Sequence, residues 1–214
     1  MRKRRALLAA LALLLCAEPG LGGNPRSVAI GPQSPKGALL IRVPPIFIDY
    51  QLLLVRVDET GTPSRREWFF VKPVPLAEGD RFVVETLPPG RYMLEGVAQQ
   101  RKWVGCLHAR TVWVDIEPGS IAYLGALDVR PTLASIQRSA EASKESVAHY
   151  GEWHFYRTGI LAPALSERDA EGLTRAQSFV RERMPKSESP ATLADLRWQA
   201  YALAGRSTRV DRCV

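Results

Sequence analysis

The chain from residue 37 to residue 130 alternates short apolar runs with turns that are rich in proline and glycine. Runs that recur about every 10–15 residues are typical of strands in an all-β fold. Leu52–Val55 is apolar on both faces, which favours a central strand. Tight turns are expected at Pro88–Gly90 and Pro118–Gly119, because proline restricts φ and glycine tolerates positive φ. The pattern predicts a mainly β domain, an antiparallel β-sandwich of about seven or eight strands.

The period of the apolar positions changes after Pro131 from two to about 3.6 residues, which indicates helices. Three helices are predicted: one over residues 136–150, one opened by the capping-box sequence Ser166–Asp169, and one started by Ser189-Pro190. The apolar stripe of the third helix consists of Leu193, Leu196, Ala200 and Leu203. The second and third helices would form an αα-hairpin. Residues 131–214 are therefore expected to form a helical C-terminal subdomain.

The first 22 residues have the pattern of a secretory signal peptide. Basic Arg2–Arg5 precedes an apolar run of about ten residues, and Gly20–Gly22 offers small residues for cleavage before Gly23. A permanent membrane helix would need about 20 apolar residues. The next stretch, residues 23–36, is rich in glycine, proline and serine and is predicted to be a flexible leader. We expect export to the periplasm or cell envelope.

Cys16 supports an alternative in which the exported protein is lipid-anchored. Bacterial lipoproteins carry a lipid-modified cysteine at the end of the apolar run, and Leu13–Cys16 resembles that box. The residue before such a cysteine is normally small, and Leu15 departs from this pattern. The only membrane contact that the sequence suggests is therefore a lipid anchor at Cys16, as the minority interpretation.

Export also changes how the charge and the cysteines are interpreted. Cleavage before Gly23 removes four basic residues and one acid, which lowers the formal charge from +7 to about +4. This mild excess does not indicate a nucleic-acid partner. Cys106 and Cys213 remain, and two thiols in an oxidising compartment predict a disulfide between the sheet and the C-terminal region. The alternative is a buried Cys106 and a free Cys213.

Three turn motifs resemble those of a known family. The sequences Leu87–Tyr92, Val114–Gly119 and Tyr123–Gly125 look like the transthyretin-like β-sandwich of carboxypeptidase-regulatory-like domains, and are similar to small bacterial envelope domains. The resemblance covers about residues 37–130 and consists of turn chemistry. It implies a non-catalytic accessory or binding module, and it carries over no active-site residue.

Three common catalytic and phosphate-binding motifs are missing from the sequence. It contains no Gly-x-Ser-x-Gly, no His-Glu-x-x-His and no glycine-rich phosphate loop between a strand and a helix. Cys106 and His108 would share a strand face, and with His149 and His154 they could ligate a metal. Solvated histidines and a strand-end cysteine are the favoured interpretation. We therefore expect no metal, no cofactor and no enzymatic activity.

Trp103 and Trp113 are the candidate binding residues. Trp113 shares the polar face of its predicted strand with Thr111 and Asp115, and a tight hairpin around His108 would place Trp103 directly across from it. Two outward tryptophans expose too much apolar area to remain uncovered. The cover could be the C-terminal helices or the segment 153–156, a protein partner, or a glycan stacked on a flat aromatic platform.

These observations favour an exported, non-enzymatic envelope module that binds a protein partner or a glycan. The alternatives are a lipid-anchored structural envelope protein and, less favoured, a metal-dependent hydrolase. A basic cluster on the second predicted helix is interpreted as a solvated face, with an anionic surface as the minority view. The cluster consists of Arg175, Arg181, Arg183 and Lys186.

Overall fold

The structure is a computed structural model, and it describes residues 24–44, 50–71, 81–99, 103–142, 156–157, 159–202 and 213. These residues form two β-sheets, two α-helices and a 3₁₀ turn at Pro25–Ser27, so the fold is mainly β. The strands are β1 (Gly37–Val43), β2 (Gln51–Val57), β3 (Pro63–Val71), β4 (Arg81–Leu87), β5 (Gly90–Gln99), β6 (Trp103–Cys106), β7 (Thr111–Ile116), β8 (Ile121–Asp128), β9 (Tyr156–Arg157), β10 (Ala164–Ser166), β11 (Ala191–Leu193) and β12 (Leu196–Gln199). The helices are α1 (Arg130–Ala142) and α2 (Ala170–Arg183). Neither of these helices is long and apolar enough to cross a membrane.

The first sheet has the order β10–β8–β1–β4, with β11 paired beside β10 on β8. The strands β1 and β4 are antiparallel, whereas β8 runs parallel to both β1 and β11. The prediction of a purely antiparallel arrangement is therefore wrong. The reason is topological: β7 belongs to the other sheet, so β8 enters the first sheet by a crossover and not through a hairpin.

The second sheet has the order β12–β7–β5–β2–β3, with β6 also paired to β5 and β9 to β6. The strand β5 uses one edge for β2 and the opposite edge for both β6 and β7. The strands β6 and β7 therefore lie one after the other along β5 and do not form a hairpin with each other.

Both sheets contribute to the largest cluster of buried apolar side chains. Leu39, Ile41 and Val83 come from the first sheet, and Leu52 and Leu94 come from the second. Apolar side chains at alternate positions of a strand point to one face, which is why both sheets turn these residues toward the same core.

A second cluster covers the outer face of the first sheet. Phe82 stacks on Phe179 of α2 with ring centroids 4.4 Å apart. The helix begins where Asp169 accepts a hydrogen bond from the Gly172 N–H at 2.8 Å. The predicted second helix is thus present, but Asp169 caps it, and Ser166 of the proposed capping box ends β10 instead.

The segment predicted to be a flexible leader is packed on this same face. Val28 and Ile30 are buried in the cluster with α2. The Ile30 carbonyl accepts hydrogen bonds from the N–H groups of Glu188 at 2.8 Å and Ser189 at 3.1 Å. The flexible-leader prediction is therefore wrong for residues 24–36, because the segment has both an apolar contact and backbone partners.

The predicted third helix is wrong as well. Ala191–Leu193 is β11 and pairs with β8, and Leu196–Gln199 is β12 and pairs with β7. Strand pairing satisfies the backbone here, and the apolar spacing that suggested a helix also fits two short strands. The αα-hairpin is absent from the described residues, and the region after residue 131 adds strands to both sheets. It does not form a separate helical subdomain in the described part.

The first predicted helix is represented by α1, and its residues beyond 142 lie outside the described residues.

Candidate functional site

The two candidate tryptophans do not lie across from each other. Trp103 pairs with Gln99 and Trp113 pairs with Met93, at opposite ends of β5. Trp103 points into the core shared by the sheets, whereas Trp113 belongs to a cluster on the outer face of the second sheet. The hairpin prediction was wrong because it assumed that β6 pairs with β7.

Both tryptophans are buried, with exposed fractions of 8% for Trp103 and 4% for Trp113. The Trp103 Nε1 donates a hydrogen bond to the Gln99 Oε1 at 3.1 Å. The two candidate binding residues are therefore not accessible to a ligand, and the prediction that both point outward on one face is wrong. In the cluster of Trp113, Tyr201 and Cys213 lie outside the sheet, so the chain itself supplies a cover, though not through helices. The alternative cover at residues 153–155 lies outside the described residues.

The segment that carries Tyr201 and Cys213 is attached to β5 and β6 at several points. The predicted pair, Cys106 and Cys213, lies at disulfide distance with an S–S separation of 2.04 Å. The Cys213 N–H donates to the Glu95 Oε1 at 2.5 Å. The Tyr201 hydroxyl donates to the Glu95 carbonyl at 2.5 Å, and its N–H donates to the His108 carbonyl at 2.9 Å.

Glu95 holds this segment because of a local irregularity in β5. The register with β2 shifts between Leu53 and Leu54, so that Glu95 falls between the paired positions Leu94 and Gly96. A Cβ at Gly96 would lie 2.5 Å from the Gly105 carbonyl oxygen, so glycine is required there. Sequence reasoning missed Glu95. The available signal was an acid next to glycine inside an otherwise apolar strand.

The proposed metal ligands are not brought together. The sulfur of Cys106 is bonded to Cys213, which removes it as a metal ligand. His149 and His154 lie outside the described residues, and the remainder of the structure contains no cluster of three histidine, cysteine, aspartate or glutamate side chains suited to a metal. Cys16 also lies outside the described residues.

An open cleft of about 760 Å³ lies at the ends of β2, β5 and β7. Four of its charged side chains form two ion pairs: Arg56 reaches Glu67 at 3.1 Å, and Arg91 reaches Asp115 at 2.8 Å. The other two charged residues of the lining, Asp58 and Glu59, are acidic. The hydrogen bond that Arg91 donates to the Asp115 carboxylate raises the pKa of Arg91. Because both arginines of the lining are paired, the cleft offers no unpaired cation to an anionic ligand among the residues that line it.

The basic cluster on α2 is partly neutralised. Arg175 forms ion pairs with Glu171 at 2.7 Å and with Glu167 at 3.0 Å. Arg181 hydrogen-bonds the Ser178 hydroxyl at 3.2 Å. These contacts fit the interpretation of a solvated helical face.

Trp198 on β12 is the exposed aromatic side chain that the described residues offer, with 37% of its surface accessible. The Arg110 guanidinium lies 5.0 Å above its ring centroid in a cation–π contact. Arg110 forms no ion pair with any residue in the described part of the chain, and the neighbouring Arg197 lies 3.9 Å from Asp115, which already binds Arg91. The sequence prediction missed this surface because it placed Trp198 in a helix.

Glu85 on β4 is a buried carboxyl group, with 7% of its surface accessible. Its Oε2 has no hydrogen-bond partner in the described structure. Burial raises the pKa of Glu85 to about 7. Val83 and Leu87, two positions to either side, belong to the shared core, so Glu85 faces the space between the sheets.

No known protein family, curated protein or solved structure matches this chain. Its function must therefore be inferred from its own side chains. The buried tryptophans and the paired arginines of the cleft offer little to a ligand. Trp198 is exposed on one face of β12 beside Arg110, which forms no ion pair in the described part of the chain, and Arg197 is exposed on the opposite face.

Proposed function

We propose that this chain is an exported, non-enzymatic module of the bacterial cell envelope that binds a protein partner or a glycan. The observation that carries the proposal is the exposed side chain of Trp198 on β12, which lies in contact with the Arg110 guanidinium. Tryptophan and arginine are enriched at the energetic centres of interfaces. A large apolar ring that remains over one-third accessible gains free energy when a partner covers it.

Two further features support this proposal. The pattern of residues 1–22 is that of a signal peptide, and the disulfide between Cys106 and Cys213 fits an oxidising compartment. We also propose that the two sheets form a transthyretin-like β-sandwich, which is supported by their shared core and by the turn at Pro88–Gly90. Lipidation at Cys16 is the alternative that would hold the module at a membrane.

Matched alanine variants test the binding surface. Mature wild-type protein, Trp198→Ala and Leu161→Ala are immobilised and exposed to envelope extract. Leu161 is 53% exposed and apolar, so its variant removes a comparable surface elsewhere. We expect wild type and Leu161→Ala to retain one stoichiometric protein and Trp198→Ala to lose it.

Soluble peptidoglycan fragments test the glycan possibility with the same three proteins. Binding is followed by intrinsic tryptophan fluorescence, which should change on titration of the wild type and Leu161→Ala and stay constant on titration of Trp198→Ala. Retention of neither a protein nor a glycan by the wild type would contradict the proposal and favour a structural envelope component.

A further inference from the structure

We propose that β12 is the docking edge for an extended, acidic segment of a partner protein, which would join the second sheet as an additional strand. This inference rests on the proposed function and names the chemistry of the partner. It follows from three properties of β12: its open edge, the charge beside it, and the contact that Arg110 makes with Trp198.

The open edge is the first property. The strand β12 pairs with β7 over Leu196–Gln199 and stands at the end of the strand order. Among the described residues, no other strand pairs with it. Arg197, Trp198 and Gln199 are all exposed. An edge strand leaves a row of N–H and C=O groups unpaired, and an extended peptide can bind that row by β-augmentation.

The charge beside this edge is the second property. Arg110 has no carboxylate partner in the described structure, and Arg197 reaches only Asp115, which Arg91 already engages at 2.8 Å. The register of β12 places Arg197 on the face of the sheet that carries Trp113 and Asp115, whereas Arg110 lies with Trp198 on the opposite face, so one arginine flanks the edge on each side. An added strand places its side chains next to those of β12, and opposite charges at such positions stabilise the pairing. Glutamate or aspartate on the incoming strand meets this requirement.

The contact between Arg110 and Trp198 is the third property, and it disfavours a glycan. The guanidinium lies 5.0 Å from the ring centroid and occupies one face of the indole. Sugar binding to a flat aromatic platform would need that face to be open. A second copy of this chain is also disfavoured, because pairing two β12 edges would bring like-charged arginines together.

Defined peptides test the inference. The probe is a blocked peptide that alternates threonine and glutamate, and it is compared with a threonine–lysine peptide and with the glutamate peptide methylated at alternate backbone nitrogens. Fluorescence anisotropy of labelled peptide measures binding to the full mature protein. We expect the glutamate peptide to bind and both controls to bind about tenfold more weakly or not at all. The lysine peptide lacks the negative charge, and the methylated peptide lacks the N–H groups that pair with the edge of β12.

Charge reversal supplies the matched variants. R110E/R197E should weaken the glutamate peptide by about tenfold and allow the lysine peptide to bind. R138E/R183E makes the same change in net charge on exposed helix positions and should leave both peptides unaffected. Circular dichroism and thermal unfolding verify that both double variants fold.

The inference is overturned if no peptide binds, if the methylated or lysine peptide binds as well as the glutamate peptide, or if the protein self-associates through β12. A loss of envelope protein or glycan binding in Trp198→Ala, together with no peptide binding, would leave the proposed function standing and remove this inference alone. No binding of peptide, envelope protein or glycan by the wild type would remove both.

Discussion

The helix α2 and the segment of residues 24–36 pack on the outer face of the first sheet, where Phe82 stacks on Phe179 at 4.4 Å. On the outer face of the second sheet, the cover seen in the described residues is supplied by Tyr201 and Cys213. That cover is joined to the sheet by the disulfide and by hydrogen bonds to Glu95. Both covers combine apolar contact with hydrogen bonds, but in the described residues the first contains a helix with an apolar stripe, whereas the second is also joined to its sheet by a covalent bond.

The difference follows from how much apolar surface each cover brings. A helix buries a whole stripe of apolar side chains, and the burial of this area alone can offset the conformational entropy lost when the chain is ordered. In the described part of the chain, two separate residues cover the second sheet; they bury far less, and bonds fix their position. A buried carboxylate such as Glu95 also requires hydrogen-bond donors, and Cys213 provides one.

Removal of the disulfide should have the largest effect on this comparison. The bond joins residues 107 positions apart, so Cys106→Ala/Cys213→Ala should lower the free energy of unfolding by about 4–5 kcal/mol. Urea unfolding followed by circular dichroism measures this change. Hydrogen exchange should accelerate more in β5 and β6 than in β1. Equal midpoints for the variant and wild type would show that the second cover does not depend on the bond.

Truncation of Phe179 should have the next largest effect. Phe179→Ala removes a stacked ring from α2 and should cost about 3–4 kcal/mol, whereas Phe179→Leu should cost about 1 kcal/mol. The same urea titration measures both. The cost should be unchanged in the protein without the disulfide, because the two covers are independent. Strong non-additivity would contradict the separation of the two faces.

Glu85 belongs to neither outer face and should change stability through pH. Its folded pKa of about 7 exceeds the usual value for glutamate, so the folded protein favours the protonated form. The contribution of Glu85 to the free energy of unfolding is therefore fully present below about pH 4.5. It is lost as the pH rises to about 7, and above that pH the free energy of unfolding is lower by about 3 kcal/mol. Glu85→Gln should abolish this dependence in urea titrations at pH 4 and pH 8. An unchanged pH profile in the variant would exclude Glu85 as its source.

Local patterns predicted those features that depend on local chemistry. The alternation between residues 37 and 130 placed apolar runs where the strands β1–β8 lie, and the turn residues marked their ends. The helix α2 was predicted because its apolar stripe has a single period. The pairing of Cys106 with Cys213 was predicted from the cysteine count and the expected export, since two cysteines remain after the predicted signal peptide.

Features that depend on strand pairing were not predictable in the same way. Trp103 and Trp113 were placed together by a hairpin, but β5 pairs with both β6 and β7. Leu193 and Leu196 fit the apolar stripe of a helix equally well. They are strand residues because β11 pairs with β8 and β12 pairs with β7. Ile30 is held by Glu188 and Ser189, and no local sequence pattern records a contact over that separation.

The bond between Cys106 and Cys213 closes a covalent ring that contains the strands β7 to β12 and the helices α1 and α2. Strands of both sheets are therefore part of the same loop. A protease that cuts one peptide bond anywhere within this ring produces two ends and no separate fragment. The nicked molecule keeps its full mass until a reductant opens the ring, so limited proteolysis should show its cleavage products only on reducing gels.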